Sequence, residues 1–251
     1  MRLIALLAWY SESPTWLAHT VASLSKAGVS HVVAVDGAYG LFPGANERPT
    51  SGLEQSEAIM ETARGSGIGC TVHSPRGPWA GNEVEKRTFM FQAGNLVAEP
   101  LEDWFLCIDA DEVVSSAPVD LLDVLSSSEH DVAGATFCSP HDPHQTESKS
   151  LVVRHIDWPT TEQQGHRVLF RALPSLRVEG THAFYVAENE HEQTVHLRGT
   201  VDRPSLSEYE DIPELKIDHR HEFRDKARKD AALAYYELRD RLGAESPLVT
   251  A

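Results

Sequence analysis

Basic side chains are scarce in this chain of 251 residues: 22 lysines and arginines stand against 38 aspartates and glutamates, a formal charge of −16. That surplus repels nucleic-acid phosphate and anionic membrane surfaces at long range, so either partner would need a local basic patch. Cysteine is rarer still. Cys70, Cys107 and Cys138 are odd in number, far apart and each set in an apolar run, which argues against a disulfide or zinc framework and predicts buried, reduced thiols. No stretch approaches the roughly 20 apolar residues of a membrane span. The apolar run in "MRLIALLAWY" is short and leads into a polar turn and a helical pattern instead of a small-residue cleavage site, so the chain reads as soluble and cytoplasmic. No G-x-G-x-x-G follows that run and no H-E-x-x-H occurs, which disfavours a dinucleotide dehydrogenase and a thermolysin-like hydrolase. Internal repeats and low-complexity linkers are also lacking.

What is present is an alternation of strand and helix. Residues 2–9 read as a strand buried on both faces. Ser13 and Pro14 then open a helix, Leu17, Val21 and Leu24 fall at helical spacing, and Gly28 closes it before the strand "HVVAV" (31–35). After "GAYGLFPGANERPT", Ser51 and Glu54 form a capping-box pair for a second helix carried by Leu53, Ile59, Met60 and Ala63. "GCTVHS" (69–74) is a third strand, most of "NEVEKRTFMFQAGNLV" a third helix and "WFLCI" (104–108) a fourth strand. Such alternation predicts a parallel sheet covered by helices, with ligands bound beyond the carboxyl ends of its strands.

Beyond a short helix at "VDLLDVL" (119–125), four stretches look like strands of an antiparallel extension: "VAGATFCS", "KSLVVRHI", "HRVLFRAL" and "RVEGTHAFYV". The last predicted element is a helix in "RDKARKDAALAYYELRDRLG", with Ala231, Tyr235, Leu238 and Leu242 on one face and Gly243 as its stop. One domain over residues 1–251 with two halves, 1–114 and 115–251, accounts for all of this.

The fourth strand runs straight into Asp109, Asp111 and Glu112. Asp109 and Asp111 are two apart, so in extended backbone they point the same way and can converge on one divalent cation. The plainer alternative is that one of them caps the turn. "DWFLCIDADEVV" resembles the DXD segment of GT-A glycosyltransferases, in particular family 2-like enzymes. "AWYSESPTWLAHTVASLSKAG" is similar to the first strand, nucleotide loop and first helix of that family, "VVAVDGAYG" to its second strand, and "IDHRHEFRDKARKD" to the C-terminal segment that supplies a histidine to the metal.

The resemblance implies a GT-A fold: a mostly parallel, Rossmann-like α/β sheet flanked by helices, with a smaller antiparallel part on the acceptor side. It implies that Trp9 and Tyr10 line a nucleotide base and that Asp36 bonds the base edge, where the residue alone is equally a turn former before Gly37. Arg87 is expected near the base or diphosphate with Lys86 as its neighbour, although both are otherwise ordinary solvated helix charges. Asp109 would meet the ribose or a metal-bound water. Asp111 would bind Mn²⁺ or Mg²⁺, with His219, or His221 as its alternative, as a further ligand.

The general base is left open among His182, Glu179 and Glu188, because "EGTHAFYV" has Ala183 where many relatives have a glutamate after the histidine. Arg167 and Arg171 either meet acceptor or diphosphate anions or alternate along a half-exposed strand.

The activity implied is transfer of a sugar from a nucleoside-diphosphate sugar, UDP-linked, to a hydroxyl acceptor: a glycan, a lipid-linked glycan, a protein, or a hydroxymethylated base in DNA as in phage enzymes. DNA is disfavoured by net charge unless Arg154, Arg167, Arg171 and Arg177 form a basic face. Two rivals stand beside it: a metal-dependent hydrolase using histidine-rich segments such as "PHDPH" (140–144), and a non-catalytic nucleotide-sugar-binding protein.

Overall fold

Alternate residues of the first strand serve different cores. In β1 (Leu3–Ala8) all six residues are buried. Leu3, Ala5 and Leu7 pack on one face of the sheet, Ile4, Leu6 and Ala8 on the other, which is why an unbroken apolar run is needed there. The computed structural model describes residues 1–81, 83–138, 163–180, 184–189, 191–198, 207–220, 224 and 226–245. "KSLVVRHI" and "PHDPH" lie outside the described residues.

Helix α1 (Pro14–Ser23), a 3₁₀ turn ending at the left-handed Gly28, and β2 (Val29–Val35) complete the first unit. Helix α2 (Leu53–Gly65), β3 (Gly69–His73), α3 (Val84–Asn95) and β4 (Trp104–Asp109) follow. Strands β2 and β4 flank β1 and β3 adds beyond β2, all parallel. Helices α1 and α2 cover one face with Leu17, Val21, Ile59 and Ala63, and α3 covers the other with Met90 and Phe91. At Gly94 a Cβ would lie 2.8 Å from the Phe105 ring, so glycine sets how closely α3 approaches the sheet.

The antiparallel extension that the sequence suggests in the second half divides between the main sheet and a small sheet of its own. After β5 (Glu112–Ser116) and α4 (Leu121–Ser127), β6 (Val132–Cys138) and β7 (Gln163–Arg171) join the main sheet through β4, and the residues read as one strand over 177–186 are two, β8 (Arg177–Glu179) and β9 (Phe184–Glu188). With β10 (Thr194–Arg198) they form a three-stranded antiparallel sheet on the α3 face.

Strand β11 (Glu210–His219) returns to the main sheet between β6 and β5, giving the order β3-β2-β1-β4-β7-β6-β11-β5. The fold is therefore α/β: a large, mostly parallel sheet flanked by helices, plus a small antiparallel sheet.

Three local expectations need correction. The N-cap of α2 is Gly52, because the Ser51 hydroxyl is spent elsewhere, and Leu53 and Met60 face solvent while Ile59 and Ala63 carry the buried face. Helix α5 (Lys226–Glu245) runs through Gly243 instead of stopping there, and of its predicted apolar face Tyr235 is buried but Leu242 is exposed. None of the cysteines is in a disulfide, with Cys107 buried and Cys70 and Cys138 only partly so. Burial pushes the Cys107 thiol up to about 12, which makes it inert as a nucleophile. Among the described residues no helix is long and apolar enough to cross a membrane.

Candidate functional site

Chain direction gathers the chemistry at one edge. Strand β7 is antiparallel to β4 and to β6, and β6 is parallel to β11, so β11 runs with β1, β2 and β4. Their carboxyl ends deliver Trp9 and Tyr10, Asp36, Asp109 and His219 to the same side. The chain also reverses its order about β1 there, going first to β2 and later to β4 on the other side, which is where open α/β sheets bind ligands.

Asp111 is the most enclosed of the acidic cluster, 2% exposed. Its Oδ2 accepts from His219 Nε2 at 2.7 Å and is ion-paired with Arg224 at 2.9 Å. Burial works against the carboxylate, but Arg224 and His219 outweigh it and hold its pKa well below the usual range. Burial likewise opposes the His219 imidazolium, and the charge and hydrogen bond of Asp111 overcome this and raise its pKa. Arg224 also reaches Glu12, 3.4 Å away, which Arg228 grips at 3.2 Å. A connected set of charges thus runs from the end of β4 to the loop after β1 and the start of α5.

Asp109 faces the other way. Its Oδ2 pairs with Arg87 at 3.0 Å, and Arg87 is braced by Glu83 at 2.7 Å. Glu112 accepts the Asp109 backbone N–H at 2.8 Å. Burial, then the charges of Asp109 and Asp111, push Glu112 up to about 7. Neither Lys86 nor Arg87 is the solvated helix charge that their sequence positions also allowed. Lys86 is 2% exposed and its Nζ donates to the carbonyls of Trp9 at 2.7 Å and Gly37 at 2.9 Å, pinning the ends of β1 and β2 to α3. Burial lowers its pKa to about 7 despite Asp36 and Asp109 nearby.

The residues expected at the base are tightly held. Asp36 is buried and its carboxylate accepts from Gly37 N at 2.6 Å, Ser51 N at 2.9 Å and Ser51 Oγ at 2.6 Å. Ser51 Oγ also receives the Ser11 N–H at 2.7 Å, which stitches the loop after β1 to the loop after β2. Gly37 has φ 110° and a Cβ there would sit 2.7 Å from Trp79 Nε1, the group that donates to the Asp36 carbonyl. Tyr10 donates its hydroxyl to the Arg48 carbonyl at 2.5 Å and meets Phe42 edge-on, with Arg228 4.5 Å over the Phe42 ring. Trp9 is turned into the core, 2% exposed, with its indole N–H buried and unpartnered among the described residues.

The acceptor-side candidates are less concentrated. Glu179 and Glu188 are exposed on the small sheet, both bound to Arg177 at 2.8 and 3.3 Å. His182 and His221 lie outside the described residues, as does Arg154. Arg167 fills its guanidinium with Leu197 O and both oxygens of Ser207, and Arg171 binds Asp131 and the carbonyls of Ser128 and His130. Both therefore serve the fold.

Asp111 and His219 suit a divalent cation. Cis ligands about 2.1 Å from an octahedral ion lie about 3 Å apart, close to the observed 2.7 Å. Mg²⁺ in phosphate sites commonly takes one or two carboxylates and completes its shell from phosphate and water. Arg224, which shares the same oxygen, keeps Glu12 as a partner if Asp111 turns to a cation. Among the described residues no group of three or more His, Cys, Asp or Glu converges as a metal cage, and Asp111 with His219 forms a two-ligand platform. Sequence reading did not single out Glu12, Arg224 or Arg228. Their only signal is the four-residue spacing of the two arginines, which places both on one side of a helix start.

No protein-family model matches the chain, and no curated protein matches it. Forty-eight solved chains match in structure. One is a 2.76 Å crystal structure of a Bacillus anthracis protein assigned as a glucose-1-phosphate thymidylyltransferase, in complex with sucrose. It shares 10% identity and a TM-score of 0.34 over 58% of this chain and 57% of that one. The chain thus spans a little over half the length of that structure, and likeness at this level says nothing of chemistry.

Proposed function

We propose that the protein is a glycosyltransferase that moves a sugar from a nucleoside-diphosphate donor, UDP-linked, to a hydroxyl acceptor with the help of Mn²⁺ or Mg²⁺. The observation that carries this reading is the meeting of Asp111, just after β4, with His219, at the end of β11, on the edge where the strand order reverses. Asp111 and His219 would hold the cation, whose chemistry when bound is to neutralise the diphosphate as it leaves.

The remaining roles belong to the chain. Tyr10 and the Asp36–Ser51 unit form the floor for the nucleoside, and Lys86 fixes that floor by tying the β1 and β2 ends together. Asp109, oriented by Arg87, accepts from a ribose or sugar hydroxyl, and the Arg87 guanidinium adds positive charge beside the diphosphate. The acceptor hydroxyl must lose a proton as it attacks, and the candidates for that base remain His182 and, on the small sheet, Glu179 and Glu188. The charge of −16 and the internal engagement of Arg167, Arg171 and Arg177 favour a glycan, lipid-linked or protein acceptor over DNA.

A thermal-shift series with UDP-, GDP- and other nucleotide sugars, with and without Mn²⁺, tests the reading. Stabilisation by a nucleotide sugar that grows with Mn²⁺ supports it, and stabilisation by none of them overturns it. A protein that binds donor but yields neither free nucleotide nor product with any acceptor would be a binding module instead.

A further inference from the structure

Arginines in this protein are usually answered. Arg2, Arg87, Arg171, Arg177 and Arg224 each meet a carboxylate, and Arg167 fills its guanidinium with three oxygens. Arg198, at the end of β10 and only partly exposed, is different. It lies 5.0 Å over the ring of Tyr185, its cross-strand partner, and its one hydrogen bond among the described residues is a long 3.4 Å contact to His166 Nε2. A guanidinium has five N–H donors, so most of this one's donor capacity is unused among the described residues, in a protein that is otherwise rich in carboxylates.

Its surroundings belong to the candidate site. Tyr185 is buried, stacked on Phe170, and feels the charges of both Arg87 and Arg198. Cys107, two residues before Asp109 on β4, feels the same two arginines. On the other side His166 sits 4.7 Å from Phe137, which is 5.7 Å from His219. Burial, helped by the charges of Arg198 and His219, lowers the His166 pKa, which favours the neutral ring that can accept from Arg198. The aromatic floor limits hydration of the guanidinium, which strengthens its hold on a charged oxygen group.

We infer that Arg198, backed by Tyr185 and His166, binds an anionic group of a substrate, a carboxylate or a phosphate monoester, distinct from the diphosphate of the donor. The inference rests on the nucleotide-sugar reading and narrows its substrate class to one that carries a second negative group. That group is either a uronate on the donor sugar or a phosphate on the acceptor.

The test is calorimetric titration of the full chain and of Arg198→Met and Arg198→Lys with UDP, UDP-glucose and UDP-glucuronate, all with Mn²⁺. Glucose 6-phosphate and glucose are then titrated onto the UDP-loaded protein. A preference of about tenfold for the anionic member of one pair, lost in Arg198→Met and partly kept in Arg198→Lys, is expected, and the pair that shows it identifies the source. Equal binding within both pairs overturns the inference. So does a loss in Arg198→Met that is as large for UDP alone, since Arg198 would then belong to the diphosphate clamp. Failure of the unmodified protein to bind any nucleotide overturns the transferase reading instead, and inorganic phosphate then keeps this one testable: it should raise the thermal midpoint of the unmodified chain and not of Arg198→Met, and no difference between them overturns it.

Discussion

His219 Nε2 and Asp111 Oδ2 stand 2.7 Å apart although 108 positions separate them in the chain. The contact exists because β11 threads between β6 and β5 and runs in the same direction as β4. The cross-strand pairing of His219 with Glu112, the first residue of β5, then sets the imidazole beside the turn that carries Asp111.

Asp111→Asn removes the charge and keeps the shape. Donor binding should lose its response to Mn²⁺ and turnover should fall at least a hundredfold, read by calorimetry and by product formation. Arg224 and His219 lose a buried counter-charge, so urea unfolding should also report a loss of about 1–3 kcal/mol. Unchanged metal dependence in a folded variant would count against Asp111 as a ligand.

Glu112 gives a pH signature. Its folded pKa, about 7, is raised above that of an ordinary glutamate, so its contribution to stability is fully present below the unfolded pKa and is lost as pH rises through about 7. Glu112→Gln keeps an acceptor for the Asp109 N–H and removes the titration. In metal-free protein the variant should gain a few degrees in thermal midpoint over the parent at pH 8 and little at pH 4. An equal difference at both pH values would contradict the assignment.

Lys86→Met should leave the carbonyls of Trp9 and Gly37 without their donor, at a cost of about 1–3 kcal/mol in chemical denaturation. Donor KM should rise more than kcat falls, because the damage is to the nucleoside floor. A variant with parental KM would reduce Lys86 to a packing residue.

Ser51→Ala breaks the bridge between the loops after β1 and β2, removing the hydroxyl that serves both Asp36 and Ser11. A stability loss of about 1–2 kcal/mol with weaker nucleotide binding is expected, and Ser51→Thr should restore most of both. Weak binding in the threonine variant would point to steric exclusion instead of the lost bonds.

The first half of the fold was legible because parallel strands buried on both faces write themselves as apolar runs such as Leu3–Ala8 and Trp104–Ile108. Strand β11 was not, since "EDIPELKIDH" alternates charge with apolar residues and holds a proline at a register shift. The site divides in the same way. Asp109 and Asp111 follow directly from an apolar strand, whereas the Arg224 and Arg228 grip on Glu12 is made only by tertiary packing across more than 200 positions. Ser51 misled because a serine three residues before a glutamate suits a helix cap as well as it suits the loop bridge it makes.

The late insertion of β11 also orders events in time. During synthesis β5 is complete at residue 116, yet its one partner in the sheet is β11, which emerges about a hundred residues later. A chain halted before residue 210 has a nascent β1–β4 core but an unpaired β5 and no histidine opposite Asp111. Assembly of the site thus waits for the second half of the chain, and the pairing that completes the sheet is the same one that brings His219 to Asp111.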